Sequence, residues 1–71
     1  MMQSNEMKAV IAKNNDTQVK LAEILGLQVS GLNARINGQI DFRASEIKKI
    51  AQRYNLSLEE LDAIFFDHVA S

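Results

Sequence analysis

Between Ile24 and Ile40 the chain carries no acidic residue, and Arg35 is the one charge in that stretch. What it offers instead is Gln28, Ser30, Asn33, Asn37 and Gln39. Their amides and hydroxyls donate and accept hydrogen bonds without carrying charge. That chemistry suits recognition rather than bond-making. The rest of the chain adds no reactive constellation. His68 is the only histidine and stands beside Asp67, without the further ligands or orienting groups that a metal or catalytic role needs. There is no cysteine, no nucleophile paired with a base, no glycine-rich phosphate loop and no paired-carboxylate arrangement. Neither an enzyme nor a metal, cofactor or small-molecule ligand is expected.

The recognition residues need a scaffold. Leu32 and Ile36 lie one helical turn apart, so the stretch reads as a short helix over residues 29–37, closed by Asn37-Gly38. Four more helices follow from the same periodicity. One over residues 5–13, capped by Ser4, turns Met7, Val10 and Ile11 inward, and "NND" at 14–16 breaks it. A second begins after Thr17 (or Asp16) and points Leu21, Ala22 and Leu25 at the core. A fourth over 44–55 repeats the spacing with Ile47, Ile50, Ala51 and Tyr54. The fifth has Ser57 as cap, Glu60 completing a capping box and Leu56 poised to staple onto Leu61. Its apolar side is Leu58, Leu61, Ile64 and Phe65.

Seventy-one residues without cysteine or proline make one small helical domain over 1–71, with 1–4 and 67–71 as loose ends. No apolar run is long enough to span a bilayer and no leader precedes the domain, so a cytoplasmic setting is expected. The net charge of −1 hides an asymmetry. Residues 1–54 hold all eight Lys and Arg against five acids, a net of +3, whereas 55–71 hold four acids and no Lys or Arg. An acidic end and a positive body are compatible with a polyanionic partner if they occupy different faces.

The second and third helices are joined by so few residues that they must cross steeply and closely. Ala22 is small enough for the crossing and Gly26 tolerates the positive φ of the reversal. Leu27 plugs the turn, and Leu32 and Ile36 seat the later helix. "TQVKLAEILGL…SGLNARING" resembles the helix-turn-helix of the phage Cro and cI-type repressors, the XRE-like family. "SEIKKIA" with "NLSLEELDAIFF" is similar to small phage and prophage regulators of Gram-positive hosts. The likeness covers residues 17–66.

That resemblance implies an all-α, compact five-helix lambda-repressor-like domain whose third helix enters the DNA major groove. It implies a sequence-specific transcription regulator that binds a double-stranded operator, as a homodimer at least on DNA. Carried over by position, Gln18 holds a phosphate at the start of the second helix. Asn37 and Gly38 offer donors to another, and Gln39 and Arg43 add backbone contacts. Gln28, Val29, Ser30 and Ala34 face bases, flanked by Asn33 and Arg35, with Arg35 expected on DNA. Three positions depart from the family pattern. Gln28 replaces a Ser or Thr cap, Gly31 sits inside the reading helix, and Val29 falls inward on a helical wheel but outward by family position.

Phe65 and Phe66 point about 100° apart on a helix. One is expected to pack and the other to meet a second subunit, so both are candidate dimerisation residues; the alternative is that both pack. Two other functional readings share the helical fold. One is a protein-interaction module, antirepressor or adaptor, that uses the acidic, phenylalanine-bearing end. The other is the antitoxin of a toxin–antitoxin pair.

Overall fold

The computed structural model describes residues 4–66, so the expectations for residues 1–3, for His68 and for the 67–71 end lie outside it. Five α-helices follow in order: α1 (Ser4–Lys13), α2 (Gln18–Leu25), α3 (Val29–Ile36), α4 (Ala44–Tyr54) and α5 (Leu58–Leu61). A π-helical turn, Asp62–Phe66, continues α5. No strand occurs among the described residues, and the fold is all-α and lambda-repressor-like.

Left-handed residues separate the helices. Asn15 (φ 54°) ends α1, where the Asp16 N–H donates back to Ile11 O at 3.0 Å. Gly26 (φ 72°) ends α2, and Leu27 N–H closes on Ala22 O at 2.8 Å. Gly38 (φ 82°) follows α3, with Gln39 N–H on Ala34 O at 2.9 Å, and Asn55 (φ 53°) ends α4. Each reversal satisfies carbonyls that the helix itself leaves open. An added Cβ at Gly26 would meet nothing within 4 Å, so it is the backbone angle alone that favours glycine there.

The starts are also legible. Thr17 Oγ1 accepts the Lys20 N–H at 3.2 Å. Ser57 and Glu60 form the reciprocal box at 3.1 and 2.9 Å. Helix α1 includes Ser4 at the first described residue.

One core gathers Met7, Ile11, Leu21, Ala22, Leu25, Leu32, Ile36, Ile50, Tyr54, Ile64 and Phe65. Val10, Leu27, Phe42, Ile47, Leu56 and Leu61 pack partly against it. Phe42, in the α3–α4 connection, meets the Phe65 ring edge-on at 5.2 Å and 80°. Leu58 departs from expectation: it is 85% exposed. At the first position of α5 its side chain lies on the solvent side, while Leu61 and the widened turn reach the core.

Candidate nucleic-acid interface

Helices α2 and α3 pack on one another, and α1 supports α3 from behind. Leu32 and Ile36, both fully buried, anchor the inner side of α3. Its other side faces solvent: Gln28, Val29, Ser30 and Asn33 are exposed, and so are Asn37, Gly38 and Gln39 beyond its end. The outer surface of the helix therefore carries amides, a hydroxyl and one branched methyl pair, with no charge. Gln28 occupies the cap position in extended conformation but makes no side-chain cap hydrogen bond, which leaves its amide free to engage a ligand.

Val29 is 37% exposed, so the wheel's inward placement gives way to a position at the boundary. An apolar contact with a thymine methyl is open to it there. Ala34, expected to face bases, is only half-buried, and its carbonyl accepts the Gln39 and Ile40 N–H groups at 2.9 and 3.2 Å.

The flanks supply phosphate-binding chemistry. Gln18 opens α2, half-buried, beside the capped N-terminus, and Lys20 stands exposed in the same turn. Arg43 is exposed at the start of α4. The acid nearest the start of α2, Asp16, is neutralised. Arg53 donates to both its oxygens, Nε to Oδ2 at 2.7 Å and Nη2 to Oδ1 at 3.0 Å, and the Tyr54 hydroxyl adds 2.6 Å to Oδ2. The Arg53 hydrogen bonds hold the Asp16 carboxyl well below the usual carboxylate range, against the opposing effect of burial. Burial and the Asp16 carboxylate together push the Tyr54 hydroxyl up.

A family model for the helix-turn-helix matches residues 7–61, most of the chain and all of α2 and α3. The protein belongs to this helix-turn-helix family. It is a family of DNA-binding transcription regulators. No curated protein and no solved structure matches the chain significantly.

Within this helix-turn-helix domain one expectation is corrected. Arg35, expected on DNA, is turned into the fold and is not part of the exposed face of α3. It is 7% exposed, its Nε donates to Glu46 Oε1 at 2.9 Å, and its Nη1 donates to Gly31 O at 3.0 Å. An acid-free stretch of sequence said nothing about an acid eleven residues further on. Of the two adjacent phenylalanines, Phe65 is the one that packs, buried against Phe42, and Phe66 is the exposed one at 43%, the division expected of neighbours on a helix.

Glu46, the buried partner of Arg35, is the residue that sequence reasoning missed. It is 5% exposed. A signal existed: Glu46, Ile50 and Tyr54 recur at i, i+4 and i+8, so the inward face of α4 includes the acid. Burial acts to raise its carboxyl, but the Arg43 N–H and the Arg35 guanidinium outweigh that, and it titrates below the usual glutamate range. Among the described residues no group of three or more His, Asp or Glu could hold a metal, and no helix is long and apolar enough to cross a membrane.

Proposed function

We propose that this helix-turn-helix protein is a sequence-specific regulator of phage or prophage type, Cro- or repressor-like, that acts by occupying an operator. The observation that carries the reading is the outer face of α3, exposed, uncharged and rich in hydrogen-bonding groups. Base edges in the major groove present donors, acceptors and a methyl group, and that face offers their complements. Gln28, Val29, Ser30, Asn33 and Ala34 read bases, while Gln18, Asn37, Gln39 and Arg43 hold the backbone. Control is steric: the bound protein excludes polymerase or a competing regulator. The setting is the cytoplasm, at the nucleoid.

Two copies bind as a homodimer. Extents of 32 × 25 × 21 Å let two subunits lie on one side of the duplex with their reading helices one turn, ~34 Å, apart. Subunits of that size meet over a narrow contact, and Phe66 is the exposed aromatic suited to it.

A mobility shift on the region upstream of the protein's own gene, at two salt concentrations, tests the reading. Retardation that depends on sequence and weakens with salt supports it. Absence of retardation at low salt, with a stable complex formed with another protein, supports an antirepressor, adaptor or antitoxin role instead.

A further inference from the structure

Glu46 Oε1 accepts two hydrogen bonds, each 2.9 Å long, from Arg35 Nε in the last turn of α3 and from the Arg43 backbone N–H that opens α4. The same guanidinium returns through Nη1 to Gly31 O, one turn back along α3. A single carboxylate oxygen thus joins the reading helix, the residue that follows its connection and the next helix. No buried side-chain nitrogen or oxygen among the described residues is left without a partner, those of this network included.

Cohesion alone does not account for such a pair. Apolar residues of similar volume hold two helices together as well or better, because a buried ion pair loses its hydration. Apolar contacts between Leu32, Ile36 and their neighbours are not directional, however, and tolerate rotation of a helix about its axis. Hydrogen bonds to a planar guanidinium do not. A rotation of roughly 20° displaces atoms at the outer radius of α3, ~5 Å, by about 2 Å. A recognition group needs placement to within ~0.5 Å. The rotational setting of α3 therefore decides whether Ser30 and Asn33 can reach a base edge.

We infer that Arg35 and Glu46 are positioning residues for base recognition: they lock the rotation of α3 and tie it to Arg43, so that base reading and backbone contact share one register. The inference rests on the DNA-binding reading above. Arg35 acts through Glu46 and touches no nucleotide.

The test uses the full chain and a duplex that the unaltered protein selects from a random-sequence pool, with a scrambled duplex as reference. Affinities for both are measured over a range of salt, beside thermal unfolding of each variant. Glu46→Gln keeps an oxygen able to accept both bonds, and it should retain the preference for the selected duplex within about twofold. The double variant Arg35→Met/Glu46→Leu removes the directional bonds while refilling the volume. It should melt cooperatively yet lose tenfold or more of that preference, with affinity for the scrambled duplex and the salt slope unchanged. Arg35→Lys, which keeps the charge without the planar fork, should lose preference too and serves if the double variant does not fold. A folded double variant, or a folded Arg35→Lys, with full preference overturns the inference. So does a salt slope shallower by about 1 in the double variant, the mark of a lost phosphate contact. If the unaltered protein selects no duplex, the DNA reading itself fails, and this role fails with it.

Discussion

Asp16 and Arg53 are joined by two parallel hydrogen bonds across 37 residues of sequence, the fork of the guanidinium matching both carboxylate oxygens. The Asp16 side chain is almost wholly enclosed, and the neighbouring Tyr54 hydroxyl closes the site. The pair fastens the break between α1 and α2 to the end of α4. It therefore fixes where α2 begins, and with it Gln18 and Lys20. Bidentate geometry with one partner buried makes this bridge stronger than an ordinary surface pair.

That bridge sets the acid limit of the fold. Because the Asp16 carboxyl is depressed in the folded state, its contribution is present above the unfolded value of about 3.9 and is lost as pH falls below it. Glu46 acts with the same sign. Urea midpoints should stay level from neutrality to about pH 5 and then decline toward pH 2.5. Asp16→Asn should begin less stable and decline less steeply. Equal slopes for the two proteins would remove Asp16 from this account.

Gly31 is a weakness in the reading helix that can be mended. It is not at positive φ, and an added Cβ would find Arg35 Nη1 at 3.5 Å, an ordinary contact. Gly31→Ala should raise stability by up to about 1 kcal/mol, seen as a melting temperature several degrees higher. A lower melting temperature would mean that the Arg35 network cannot accept even a methyl group.

Ser30 and Asn33 are exposed on the outer side of α3 and bear no structural duty in the folded chain. Replacing either by Ala should change stability by less than about 0.5 kcal/mol and shift base preference within the half-site, by about 1–3 kcal/mol of discrimination where a bidentate contact is lost. Selection of the same sequences by both variants as by the unaltered protein would refute the assignment.

Salt dependence should be shallow. Of the eight Lys and Arg, Arg35 and Arg53 are engaged by Glu46 and Asp16, and the reading face contributes no charge. Lys20→Gln and Arg43→Gln should each flatten log K against log salt by about 0.9, one neutralised phosphate apiece. An unchanged slope in both places the phosphate contacts elsewhere.

The two adjacent phenylalanines should separate on substitution. Phe65→Ala, in the core against Phe42, should destabilise by about 3–5 kcal/mol. Phe66→Asp should leave the melting temperature nearly unchanged and weaken self-association in sedimentation. Identical sedimentation at all concentrations would dismiss this end as the dimer contact.

Helix positions, the left-handed reversal at Gly26 and the inner residues of α2 were readable because each depends on local spacing or on one backbone angle. The exposed face of α3 was readable for the same reason. Arg35 was misjudged because its partner lies eleven residues away, on a helix whose rotation is fixed only by packing. Asp16, Arg53 and Tyr54 were invisible as a unit, since nothing in one-dimensional spacing brings residue 16 to residue 53. Leu58 differs from expectation because α5 is a single turn whose first position faces solvent, which spacing alone does not reveal.

That widened turn also makes the carboxyl end adjustable. A coil whose hydrogen bonds skip to the fifth neighbour holds slightly more chain per revolution than the common form. Deleting a single amino acid between Asp62 and Phe66 would let it rewind at ordinary pitch and bring a different side chain to the outside. Such a change of length would redraw the exposed rim at this end, while α2 and α3 kept their shape.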